Sequence, residues 1–338
     1  MSNENMPVIA ALTKAVLGDM DGQKALDALH IAPALLAERG PAVSRAAFAM
    51  AMNVSLFDNL LRRVPSGVTY VADTLARGGR VSFDHGALRT IRLPGGPNGA
   101  LPGGEDAFSR IFVPLGYRMA TVCPLDRLKM TGRAYTHADH PDAIPQFFLS
   151  ELHVDRFDAD FAYAAARVFG TSRDPLDAQA LAVLDDYAAG RSVSFADAVA
   201  ALPTILSAFD RQHDAPDFAD YQLLLSRSNE AAWIATEGNA FNHATDRVAD
   251  VAALADRLRA ADHPIKDRLE ISATGRVRQT ALRADSVERR FADGQLRAVP
   301  GSFFEFISRD IDPATGQLDL AFDTGNATGI FAMTRAGA

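Results

Sequence analysis

The order in which local patterns follow one another constrains this chain most: a strand-rich block, a long helical block, then a second strand-rich block. From Thr69 the pattern changes to short β-type segments at Val81 to Ile91, Ile111 to Val113, Arg118 to Val122 and Gln146 to Val154, punctuated by Gly and Pro. The most marked break, Pro94 to Gly104, holds three prolines and five glycines and reads as a loop. Helical spacing of apolar residues then runs from Phe161 to Ala232, with breaks near Arg173-Asp174-Pro175 and Pro203. β-type segments return at Ala240 to Thr245, Leu269 to Ile271, Arg276 to Leu282, Ser286 to Phe291, Ser302 to Ile307 and Leu318 to Phe322. Strands segregated from helices argue against a doubly wound sheet, in which the two alternate. The pattern predicts one α+β unit spanning 1–338. Its parts are a helical stretch over 1–65, a β-rich half over 66–155, a helical insertion over 156–235 and a second β-rich half over 236–338. No short-period repeat is visible.

Apolar residues make up 48% of the chain and charged residues 22%, enough for a large core and too little charge for disorder. The net charge of −8 and the lack of any Lys or Arg run longer than a pair exclude a nucleic-acid-binding footprint, leaving small molecules as the expected partners. Met1 to Asp19 lacks the pattern of a secretion signal and no apolar stretch reaches membrane-spanning length, so a cytoplasmic protein is expected. The single cysteine, Cys123, precedes Pro124 in an apolar stretch and reads as a buried structural thiol. Any transition metal would therefore have to be held by His and carboxylate side chains.

Three polar residues stand where strands should be apolar. Strict alternation places Val81, Phe83, His85, Ala87 and Arg89 on one face of their strand. It sets His243 between Phe241 and Thr245, and Glu305 between Phe303 and Ile307, with Phe304 and Phe306 on the opposite face. A carboxylate among such neighbours needs a cation, a donor network or a proton. Two imidazoles and one carboxylate form the facial triad used for non-haem iron(II), which leaves three adjacent coordination places open. Each histidine taken alone is better explained as a hydrogen-bonded structural residue than as a ligand, and the spacing is too wide for a local metal motif. Glu151 and His153, two apart in another strand-like run, are rival ligands; His137 and His140 read as a solvated polar loop. His30, His213 and His263 have no evident partner. Gly95 to Gly99 lacks the lysine and helix start of a phosphate cradle and reads as a lid or connection.

Taken in order, Gly79 to Ile91, Pro114-Leu115-Gly116-Tyr117, Phe147 to Leu152, Phe241-Asn242-His243 and Pro300 to Phe306 resemble the 2-oxoadipate dioxygenase/decarboxylase family, over roughly residues 45 to 335. The resemblance implies a fold related to the vicinal-oxygen-chelate enzymes, a β-sheet core with N-terminal helices and a central helical insertion. It also implies iron(II) as cofactor, and conversion of a 2-oxo acid and O2, 2-oxoadipate being the expected acid, to 2-hydroxyglutarate and CO2 in lysine catabolism. By residue, it implies His85, His243 and Glu305 as iron ligands and Arg89 as the arginine that recognises substrate. The stretch Thr324 to Phe331 resembles the family only loosely, which leaves Asn326 as a candidate substrate contact and the exact 2-oxo acid open. Gln279, Tyr117 and Ser308 are candidates for outer hydrogen bonds to the ligands. The rival functions are a metal-dependent isomerase or lyase on the same fold, and a protein that binds a small ligand without chemistry. Oligomeric state is not legible in the sequence.

Overall fold

The computed structural model describes residues 6–322. Eight strands form the main sheet: β1 (Phe83–Arg92), β2 (Tyr117–Leu125), β3 (Met130–His137), β4 (Gln146–His153), β5 (Phe241–Arg247), β6 (Glu270–Ile271), β7 (Val277–Ala281) and β8 (Phe303–Arg309). Their order across the sheet is β2-β3-β4-β1-β5-β8-β7-β6. The helices are α1 (Val8–Leu17), α2 (Asp19–Ala28), α3 (Arg45–Leu61), α4 (Pro65–Ala76), α5 (Asp106–Phe112), α6 (Ala159–Phe169), α7 (Ala178–Ala188), α8 (Phe195–Ser207), α9 (Phe218–Arg227), α10 (Asn229–Glu237) and α11 (Val251–Ala260). Among the described residues no helix is long and apolar enough to cross a membrane.

The sheet is one arrangement used twice. β1, α5, β2, β3 and β4 form one module; β5, α11, β6, β7 and β8 form the other. In each, the first strand lies parallel to the fourth, and the fourth, third and second follow antiparallel. The two first strands meet antiparallel at the centre. Topology is repeated while the residues are not, so the sequence shows no repeat. The mixed α+β class and the helical insertion between the β-rich halves agree with the sequence pattern.

Three local readings are corrected. Ile111 to Val113, read as a strand from its β-branched residues, belongs to the end of α5, where Ile111 and Phe112 are buried. Met130–His137, read in part as a polar loop, is strand β3. It is set up by a tight reversal at Asp126–Leu128 in which Lys129 takes a left-handed conformation (φ 55°). Residues 66–76, placed in a β-rich half, continue helix α4, which Pro65 starts at a position where its missing N–H costs nothing.

The N-terminal helices pack on one face of the sheet. Phe57 from α3 and Tyr70 from α4 meet Phe83, Phe304 and Phe306, and Phe112 from α5 stacks on Phe147 with ring centroids 4.3 Å apart. Phe83 and Leu88 share this core, as do Phe241 and Ala244. Such odd-numbered spacings break strict alternation, and the β1–β5 pairing slips between Phe83 and His85 and again between Ala87 and Leu88, opposite Asn242. Phe83 therefore does not share the face of His85, nor Phe241 that of His243, contrary to the alternation read from sequence. A bulge re-aims side chains in just this way. Gly86 permits it: a Cβ there would lie 2.3 Å from the Phe241 ring.

Candidate metal centre

His85 and His243 each directly follow a bulged residue, Asp84 and Asn242. The slip turns both imidazoles away from the aromatic core to the other face of the sheet. Glu305 reaches that face by plain alternation, since its neighbours Phe304 and Phe306 are in the helix-side core. Glu305 Oε2 lies 3.2 Å from His85 Nε2 and 3.2 Å from His243 Nε2. The three donor atoms lie within 4.8 Å of one another, and exposures of 3%, 4% and 1% leave them almost no bulk water. Donors bonded at right angles to one cation at about 2.1 Å are about 3.0 Å apart, so the two 3.2 Å separations are those of neighbouring donors on one ion.

The carboxylate of the group is held in its ionised form. Burial alone would raise the Glu305 pKa, but the charges and hydrogen bonds of His243 and His85 outweigh it and hold the carboxyl well below its ordinary range. Burial lowers His243. It acts on His85 in the same sense, yet the hydrogen bonds of Asp84 and Glu305 prevail and raise His85. Asp84 Oδ2 lies 2.8 Å from His85 Nδ1. A proton held on that nitrogen leaves the Nε2 lone pair free to face a metal. Asp84 is in turn gripped by Arg309, whose Nε and Nη2 donate to it at 3.0 Å. Arg309 Nη1 donates to the carbonyls of Asp319 and Ala321, 3.0 Å each, tying the segment before Phe322 to the site. Thr245 Oγ1 donates to Glu305 Oε2 at 2.5 Å and lies 3.1 Å from His85 Nε2.

Arg89 lies four residues beyond His85 on β1 and on its face, because the β1–β4 register is unbroken from His85 to Arg92. It is buried, its guanidinium carbon 5.0 Å from the centroid of the Trp233 ring. Burial pulls its pKa down to about 10, with Glu230 acting against, so it stays cationic at neutral pH.

The rival residues have other work. Glu151 is on the opposite face, where it accepts from the Glu105 amide at 2.7 Å and pairs with Arg92 at 2.9 Å. His153 Nε2 meets Thr131 Oγ1 at 2.8 Å. His137 is not solvated: it is buried, its Nδ1 accepts from the amides of Asp139 and His140, and burial lowers its pKa to about 4. His213 bonds the Ala235 carbonyl and His263 lies 3.3 Å from Asp73. Cys123 is buried among apolar neighbours. The loop at 94–104 is pinned by Asn98, whose side chain donates to the Ile91 carbonyl and accepts from the Leu93 amide.

The hydrogen bonds of the proposed outer residues go to groups other than the candidate ligands. Gln279 donates to Glu270, and Tyr117 accepts from Asn53 and donates to the Pro145 carbonyl. Ser308 bonds the Val248 carbonyl and the Val251 amide at the start of α11. Asn326 lies outside the described residues. The residues that do support the ligands are Asp84, Thr245 and Arg309, which the sequence reading missed. Only Asp84 left a signal there, a carboxylate beside a candidate ligand histidine.

Comparison with known proteins shows the family. A relative from Arabidopsis thaliana, a chloroplastic 2-oxoadipate dioxygenase/decarboxylase, is 24% identical over 292 residues, covering 75% of this chain and 68% of its own. A solved structure assigned to the glyoxalase superfamily, from Ralstonia eutropha, is 47% identical with a TM-score of 0.88, covering 94% of this chain and 99% of the other. The hydroxyglutarate synthase of Oryza sativa, solved in complex with 2-oxoadipate, has the same fold at 21% identity and a TM-score of 0.68, covering 88% of this chain and 97% of the other. The family model for 2-oxoadipate dioxygenase/decarboxylase matches residues 71–317, and with that match the chain belongs to this family.

Proposed function

We propose that the chain is an iron(II)-dependent dioxygenase that converts 2-oxoadipate and O2 to 2-hydroxyglutarate and CO2. The observation that carries this reading is the buried convergence of His85, His243 and Glu305 on the sheet face that also bears Arg89. Iron(II) held by His85, His243 and Glu305 would supply the one-electron chemistry with O2 that no side chain of the site can provide, and would offer a 2-oxo acid a point of chelation. Atoms balance without an outside reductant. One oxygen atom ends in the new carboxylate formed at the former keto carbon and the other in the new hydroxyl, CO2 leaves with the oxygens of the original 1-carboxylate, and the four electrons come from decarboxylation and from the hydroxylated C–H bond.

The residues of the chain do the positioning. Asp84 keeps a proton on His85 Nδ1 and so presents Nε2 to the centre. Arg89, cationic and covered on one side by Trp233, can clamp the distal carboxylate of a dicarboxylic acid through two parallel N–H donors, which lysine cannot imitate. Near-complete burial excludes water and strengthens both interactions.

Oxygen uptake by the anaerobically iron-loaded protein on adding 2-oxoadipate is the test, with CO2 and 2-hydroxyglutarate formed one for one. A metal-dependent isomerase or lyase, or a protein that only binds the acid, would consume no oxygen, and that result overturns the proposal. His243→Ala should lose iron and turnover together. Arg89→Lys should keep its iron and raise KM by about tenfold or more; unchanged KM would remove the clamp.

A further inference from the structure

The two modules share a topology but differ at the metal centre. Along the central seam His85 lies opposite Thr245 and Ala87 opposite His243. The local two-fold thus exchanges His85 with His243, and Ala87 with Thr245. The flanking strands obey the same operation. In the second module His243 pairs with Phe303 and Thr245 with Glu305; in the first, His85 pairs with Gln146 and Ala87 with Phe148. The third strands agree, with Ala281 opposite Glu305 and Ala134 opposite Phe148. Every register assigns Phe148 the place that Glu305 holds in the other module. Where Thr245 donates to the Glu305 carboxylate, Ala87 instead joins Phe148 in a buried apolar cluster with Cys123 and Ala134. The Phe322 ring lies 4.9 Å from both Phe148 and His85, centroid to centroid, and bridges this place to the ligands.

We infer that Phe148 occupies the fourth ligand position of a two-fold site and, by offering no donor there, decides what the centre can do. Three protein donors in a six-coordinate shell leave three places, two for a chelating 2-oxo acid and one for O2. A fourth protein donor leaves two, enough for the chelate and none for O2. This consequence for oxygen rests on the proposed function; the assignment of the position rests on the strand registers alone.

The test titrates cobalt(II) into Phe148→Glu, alone and combined with Ala87→Thr to restore the missing hydroxyl, with Phe148→Leu as apolar control. Phe148→Gln offers a neutral donor should the glutamate variants fail to fold. We expect wild type and Phe148→Leu to bind alike and the donor variants to bind about tenfold tighter or more. Metal-induced stabilisation against urea should grow in the same order, which a merely structural role for Phe148 would not produce. Loaded with iron(II) and 2-oxoadipate under argon, the donor variants should lose the paramagnetic signal that nitric oxide gives at a free coordination place. Unchanged or weaker cobalt(II) affinity in the donor variants overturns the assignment. A wild type that gives no nitric oxide signal overturns the proposed oxygen chemistry, while tighter cobalt(II) binding in the variants still upholds the fourth position.

Discussion

Asp84 shows how one residue can set the quality of a ligand it does not replace. Burial alone would raise its pKa, but Arg309 and His85 outweigh burial and keep it ionised, so the His85 Nδ1 proton has a strong acceptor. Asp84→Asn keeps the shape and removes the charge. Metal affinity should fall by about 10- to 100-fold, read by anaerobic competition titration; wild-type affinity in the variant would mean that strand geometry alone orients the imidazole. His85, His243 and Glu305 were legible as candidates because each is a polar residue with apolar neighbours in a strand-like run. Thr245 was not, since a threonine suits any strand and its two contacts arise only when β5 lies between β1 and β8. Arg309 was hidden for a related reason: its partner Asp84 lies 225 residues away.

At the level of elements, the sequence conveyed where strands and helices would lie but not where strands slip. Nothing local in Asp84-His85 or Asn242-His243 announces a bulge; it follows from fitting Phe83 and Phe241 into the aromatic core while the next residue but one faces away. Asp246, on β5, ties the elements around this seam: Tyr70 Oη from α4 donates to it at 2.6 Å and the Ser82 amide at 2.9 Å. Burial raises its pKa from 3.8 to about 6, against those two donors. Between these values the folded protein holds a proton on Asp246 that the unfolded chain has released, so the contribution of Asp246 to stability falls as pH rises through that window and levels off above it, opposite in sign to the contributions of His137 and His213. At about 1.4 kcal/mol per pKa unit the drop is roughly 3 kcal/mol. In Asp246→Asn the drop should vanish. Urea unfolding of both proteins from pH 4 to pH 7 measures the difference, and parallel curves would rule out Asp246 as its source.

On the scale of the whole molecule, the candidate centre takes one ligand from the first module and two from the second, and among the described residues β1–β5 is the only strand pairing within the main sheet that joins the modules. This dependence was invisible in the sequence because the repeated object is a path of the chain rather than a string of residues: Glu305 answers to Phe148, and Thr245 to Ala87. A bound ion would therefore act as a cross-link over the seam. At a free metal concentration one hundred times its dissociation constant, it should stabilise the fold by about 2.7 kcal/mol. The more specific consequence is where that protection falls. If the ion bridges both modules, removing it with a chelator should speed amide hydrogen exchange in β1, β5 and β8 together, because opening the seam breaks all three ligand contacts at once. Exchange that quickens in β5 and β8 while β1 stays protected would show that the metal is held by the second module alone, and that His85 contributes little to holding it.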